Sequence, residues 1–141
     1  MKPRLPAKGR CLCETVQFEC DTLPIWSLYC HCESCRLNTG SPVTAFFGIA
    51  NGNWRWLGTR PQVYESQPGV RRHFCNNCGT PVAYDADKFP GEIHFYTSAL
   101  YEKAGFEPKG HVHATEKLPW HDIKDELPRW AGTMGKVQIT D

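Results

Sequence analysis

"HFCNNCGT", residues 73–80, sets two cysteines three positions apart with a glycine directly behind them. A C-x-x-C turn of this kind lets two thiolates converge on one ion, and Gly79 supplies the positive φ that carries the backbone away. Such a knuckle gives two of the four ligands that a structural zinc takes. "CLC", Cys11 and Cys13, has two more to give. A site of Cys11, Cys13, Cys75 and Cys78 would be a closed four-thiolate centre, tying the start of the chain to its middle.

This assignment leaves "YCHCESCR", residues 29–36, which packs Cys30, Cys32 and Cys35 into six positions. Three ligands and an open place form the pattern of a catalytic zinc. Such an ion takes a substrate thiol as fourth ligand and holds it as thiolate, or polarises a nearby carbonyl or hemithioacetal oxygen. Spacing alone leaves other assignments open. Cys75 and Cys78 could be a redox pair, although no βαβ pattern surrounds them. Cys20 or a histidine could close the trio into a second structural zinc. "CLC" could also pair with "CHCESC" and leave "CNNC" aside. Cys20 reads most simply as a small buried residue at the end of a strand face.

Composition sets the frame for these sites. The 141 residues fit one domain, 1–141, long enough to bury a core, and 40% of them are apolar. Twelve glycines and eleven prolines point to many turns and short strands. Sixteen basic residues against fifteen acidic leave a formal charge of +1, which gives no nucleic-acid footprint. No run of about 18 apolar residues exists to span a membrane. The basic start "MKPRLPAKGR" has no apolar segment behind it, so the expected location is cytoplasmic. A reducing compartment disfavours structural disulfides, which turns the eight cysteines toward metal.

Periodicity predicts a mainly β chain of six to eight short strands. In 14–20, Val16, Phe18 and Cys20 share one face, and Thr15, Gln17 and Glu19 the other. Segment 44–50 reads as a more fully buried strand. Segment 53–58 places Trp54 and Trp56 on one face. Further strands are expected over 62–66, 80–85 and 92–100. Helix signals are few: one or two turns in "ESCRLNTG", closed by Gly40 at C′, and a short helix from Trp120 to Leu127 ended by Pro128. The last eight or so residues read as a loosely held tail.

Outside the cysteines, His31 sits between two ligands and is expected to point away from their ion. His111 and His113 form an H-x-H pair that would share one side of a strand, in a surface or core role rather than on a metal. His94 and His121 carry no signal beyond their context. Arg71 and Arg72 could meet a substrate carboxylate, although a solvated charged face is the commoner outcome.

Taken in order, "GRCLCETVQF", "CHCESCRLNTGSPVTAF", "RRHFCNNCGTPVAY" and "HVHATEKLPWHDIKDELP" resemble the glutathione-dependent formaldehyde-activating enzyme family, which includes the centromere protein V domain. The resemblance runs over roughly residues 9 to 130. It implies a β-tent of small coiled antiparallel sheets organised around a structural zinc, and two zinc ions per chain. Cys11, Cys13, Cys75 and Cys78 match the family's structural ligands, and Cys30, Cys32 and Cys35 match its second, catalytic zinc. The implied activity is that of a carbon–sulfur lyase with a small thiol substrate, glutathione, condensed with formaldehyde to S-hydroxymethylglutathione. The alternative is a zinc-stabilised protein-binding module without chemistry, its second zinc closed by Cys20 or a histidine.

Overall fold

The computed structural model describes residues 2–140. A three-stranded antiparallel sheet is built from β1 (Ala7–Arg10), β2 (Val16–Cys20) and β5 (Trp54–Gly58), with β2 in the middle. A nine-stranded sheet takes the rest. From one edge to the other it runs β12 (Gln138–Ile139), β11 (Arg129–Trp130), β10 (His111–Val112), β3 (Trp26–Cys30), β4 (Thr44–Ala50), β9 (Glu92–Tyr96), β8 (Pro81–Ala86), β7 (Val70–Phe74) and β6 (Gln62–Gln67). Its pairs are antiparallel except at β10, which runs parallel to both β3 and β11. The one α-helix among the described residues, α1 (Glu33–Thr39), bridges β3 and β4.

The two sheets meet through the alternation of β2. Val16, Phe18 and Cys20 are all buried, while Gln17 and Glu19 turn outward. Phe18 lies flat on Phe95 of β9, ring centroids 4.0 Å apart and planes within 8°. Trp54 and Trp56 of β5 set their rings edge-on to the same Phe95, so both tryptophans face the core as the period-two pattern requires. Gly9 makes room for the stack. It pairs across the sheet with Phe18, and a Cβ there would stand 2.3 Å from the ring's tip.

The nine-stranded sheet is covered differently on its two faces, and register decides which residue goes where. One rung runs Ser27–Phe47–Phe95–Ala83–His73 across β3, β4, β9, β8 and β7. Phe47, Phe95 and Ala83 from it enter the core against β2 and β5. The next rung runs Trp26–Gly48–His94–Tyr84–Arg72 through the same five strands. One residue further along each strand, side chains reach the opposite face. This second rung belongs to the functional face. Gly48 is needed there, because the Trp26 indole folds over it and a Cβ would lie 2.4 Å from its Nε1.

Several expectations change. Residues 120–127 form no helix. Asp125 instead accepts from His111, from the Leu127 amide and from Arg129, while Arg129 also donates to the Ile123 carbonyl. These bonds take the side chains and the backbone groups of the segment and hold it open. The tail is also tied down: Gln138 and Ile139 pair with β11, and the Ala131 amide donates to the Val137 carbonyl at 2.7 Å. The described residues hold twelve strands rather than six to eight: β3 and β7 lie outside the expected segments, and β1 and the two-residue β10, β11 and β12 are too short to show a period. The strand expected over 92–100 stops at Tyr96 and passes into a 3₁₀ turn, Thr97–Ala99. Among the described residues no helix is long and apolar enough to cross a membrane.

Candidate metal centres

The fold gathers seven cysteines into two groups. Cys11, Cys13, Cys75 and Cys78 form one and Cys30, Cys32 and Cys35 the other, with all sulfurs within 4.8 Å of one another in each. In the first group Cys11 and Cys13 are 3.7 Å apart and Cys13 and Cys75 3.8 Å. Four sulfurs arranged tetrahedrally around an ion at about 2.3 Å stand roughly 3.8 Å from each other. The spacing is that of ligands, far beyond the length of a disulfide bond.

Local structure prepares the first group for negative charge. Gly79 has φ 81° and its amide donates to the Cys75 carbonyl, closing the turn anticipated from "CNNCG". The amides of Asn77 and Cys78 point at the Cys75 sulfur at 3.3 and 3.4 Å, and the Val16 amide at the Cys11 sulfur at 3.3 Å. Hydroxyls stand beside the two more open sulfurs: Thr15 Oγ1 is 3.1 Å from Cys13 and Thr80 Oγ1 3.1 Å from Cys78. The Thr15 hydroxyl and the Asn77 side-chain amide bring Cys13 down to about 7, and Thr80 brings Cys78 down to about 5. Burial pushes Cys11 up to about 11. A cation is what that buried sulfur needs to ionise, and the donor set fits a soft divalent metal.

The second group sits where β3 runs into α1. Cys30 ends the strand, Cys32 caps the helix with its sulfur accepting from the Cys35 amide at 3.4 Å, and Cys35 lies in the first turn. Gly40, at φ 72°, stops the helix at the expected position. Cys30 and Cys35 are 3.7 Å apart. Hydrogen bonds from Cys30 and Cys35 pull Cys32 down to about 2, and the same bonds hold Cys30 well above the thiol range. The three sulfurs titrate as one coupled group, and a cation bound among them would let all three ionise.

No fourth donor joins this trio among the described residues. Cys20 is fully buried in the core with Phe18 and cannot close the site. His31 turns away as expected, its Nε2 2.8 Å from His111 Nδ1. His111 in turn places Nε2 2.9 Å from Asp125. The H-x-H pair is therefore split: β10 ends at Val112, His113 adopts a left-handed backbone at φ 52°, and only His111 shares the buried network with His31. His111 Nε2–H donates to the Asp125 carboxylate, so His111 Nδ1 accepts from His31 Nε2–H, and this chain of bonds fixes the loop between Cys30 and Cys32.

The trio opens onto a cavity of about 500 Å³, within the range of small-molecule sites. Its floor is the second rung of the sheet, Trp26, His94, Tyr84 and Arg72, joined by Phe46. His113 and Glu116 stand on the wall, 3.4 Å apart. The paired arginines part here. Arg71 faces outward and bridges Asp85 and Asp87, whereas Arg72 is buried over the Tyr84 ring at 5.1 Å. Strand alternation was the available signal: two consecutive residues of one strand cannot both be solvated when one face is covered. His94 is buried too, bonded to Glu92 at 2.8 Å, and burial lowers its basicity.

Comparisons with known proteins show the family. The family described as glutathione-dependent formaldehyde-activating enzyme matches residues 6–116, a span that holds all seven clustered cysteines. An uncharacterized lyase of Schizosaccharomyces pombe is 32% identical over 104 residues, covering 71% of this chain and 74% of the relative. A crystal structure of a Rhodobacter sphaeroides protein shares the fold at a TM-score of 0.57 and 21% identity, over 67% of this chain and 87% of that one. Family and lyase-named relative together support a glutathione-related, lyase-type function. By its cysteine pattern and by this match over most of its length, the chain belongs to the glutathione-dependent formaldehyde-activating enzyme family.

Proposed function

We propose that the protein is a zinc-dependent carbon–sulfur lyase that joins a small thiol, glutathione in the first instance, to formaldehyde. The observation that carries this reading is the trio Cys30, Cys32 and Cys35, three convergent sulfurs facing a cavity with no fourth protein donor among the described residues. Zinc bound to them would lower the pKa of an incoming thiol and hold it as thiolate. Cys11, Cys13, Cys75 and Cys78 hold the scaffold in the same reading, as a closed site with no place for substrate.

The chemistry balances without a redox partner. The thiolate sulfur attacks the carbonyl carbon, a C–S bond forms as the C=O π pair moves onto oxygen, and that oxygen takes up the proton the thiol gave up. His113, on the cavity wall beside Glu116, carries that proton in this reading. Trp26, Phe46 and Tyr84 keep bulk water from the sulfur, and the cavity's size suits a tripeptide thiol better than formaldehyde alone.

The test is exchange of labelled formaldehyde into S-hydroxymethylglutathione, followed by NMR with zinc-replete, reduced protein. Exchange faster than the uncatalysed reaction, and lost in Cys32→Ser, is the expected result. A rate equal to the uncatalysed one at saturating glutathione and full zinc loading rejects the reading. The binding-module alternative needs Cys20 or a histidine to close the second site, but Cys20 lies in the core and His31, the nearest in sequence, turns to His111.

A further inference from the structure

Arg72 presents an unsolved charge. Its side chain is 7% exposed, and its Nη1 is buried with no hydrogen-bond partner. An unpaired buried cation is costly and persists only where something compensates it. The neighbouring carboxylates do not serve, since Asp85 and Asp87 are taken by Arg71, and Asp85 also by His73. The groups beside the Arg72 guanidinium are the Cys35 thiol and the Tyr96 hydroxyl, with the Tyr84 ring beneath it. It therefore looks toward the cysteine trio from the floor of the cavity, which it also lines.

Charge counting at the trio gives this cation its occupation. Three thiolates around a divalent metal leave one net negative charge. A thiolate arriving as fourth ligand raises it to two, in a cavity walled by Trp26, Phe46 and Tyr84. A low-dielectric site resists that second charge unless a cation is already fixed beside it. Resting on the reading that a substrate thiol completes the trio, we propose that Arg72 is the specificity-determining residue for an anionic fourth ligand: it balances the charge of the bound sulfur and selects ligands that bind as thiolates over neutral donors. This differs from gripping a carboxylate elsewhere on the substrate, because the guanidinium stands beside Cys35 itself.

The experiment uses the full chain with cobalt in place of zinc, whose visible spectrum reports each sulfur that joins the metal. Two thiols are titrated, 2-mercaptoethanol, which has no carboxylate, and mercaptoacetate, which has one. A fixed opposite charge within about 4–6 Å favours an anion by roughly 10- to 1000-fold. Arg72→Met is therefore expected to weaken both thiols by at least about tenfold and to the same degree, with Arg72→Lys recovering most of the loss and Arg71→Ala changing nothing. If Arg72→Met loses the trio's metal, Arg72→Lys against Arg72→Gln gives the same comparison. Equal affinity in the charged and neutral variants overturns the proposal. So does a loss confined to mercaptoacetate, which would make Arg72 a carboxylate clamp. A wild-type protein that binds cobalt at the trio but takes neither thiol overturns the parent reading. Thiol binding untouched by Arg72→Met overturns this one alone.

Discussion

Cys13→Ala is the sharpest test of a metal-held scaffold, because Cys13 is the exposed member of its group. Its replacement removes one ligand and leaves no hole in the core, unlike Cys11 or Cys75. Cys13 and Cys75 stand 62 positions apart in the chain. If the three remaining cysteines fail to hold the ion, the variant loses a crosslink of this length, whose loop-closure entropy is worth about 4 kcal/mol. For a chain of this size each kcal/mol moves the midpoint by a few degrees, so the melting temperature should fall by roughly 12 °C. Cys32→Ala makes the control. The trio spans six positions at the mouth of α1, so by the same relation its ion contributes about 2 kcal/mol, and the expected shift is about half of the first. Scanning calorimetry of reduced, zinc-replete proteins, with zinc counted by native mass spectrometry, reads both. Equal shifts in the two variants would refute the division into a scaffold site and a working site. So would a Cys13→Ala midpoint unchanged from wild type.

Gly9→Ala should destabilise by about 1–3 kcal/mol in denaturant melts, because the new Cβ would press on Phe18 while Phe95 blocks its retreat on the other side. Burial lowers the basicity of His94 and of His111, so below about pH 6.5 the unfolded state binds more protons than the folded one. Stability should accordingly be full above that pH and fall as it drops further, and a urea midpoint flat from pH 7 to 5 would count against it. His113→Gln should cost at least about 100-fold in turnover with zinc content unchanged, measured by the same formaldehyde exchange. Asp125→Asn should loosen the loop between Cys30 and Cys32 through His111 and His31, seen as faster release of the trio's metal to a chelator while the four-cysteine site keeps its ion.

The cysteines were readable in the sequence because metal binding imposes spacing that survives without context. C-x-x-C-G needs only a turn, and the count of seven leaves three once four are joined. What sequence could not decide was whether "CLC" meets "CNNC" across more than sixty positions or "CHCESC" nearer by. The β sheets decide it: β1 and β2 lie against β9 through Phe18 and Phe95, which carries "CLC" to the turn between β7 and β8. The strands with alternation, such as 14–20, were visible for the same reason. The two-residue strands and the failed helix over 120–127 were not, because their conformation is set by side-chain and strand partners outside the segment, such as His111 and Arg129 on Asp125.

The cavity illustrates a deeper limit. Arg72, Tyr84, His94 and Trp26 belong to four strands scattered over residues 26 to 94, and only Arg72, as half of an arginine pair, stands out in its own segment. They become one surface because antiparallel register puts them in a single rung, and Gly48 in that rung is the gap through which the indole lies down. A one-residue slip at any of these pairings would send that strand's member to the core face and bring a neighbour such as Phe47 or His73 into the cavity. Metal ligands close in sequence can be read as a motif. The groups that face the trio across the cavity are assembled by sheet register, and if Arg72 acts on the bound thiol as proposed, its place in the rung, rather than any cysteine, sets what the site accepts.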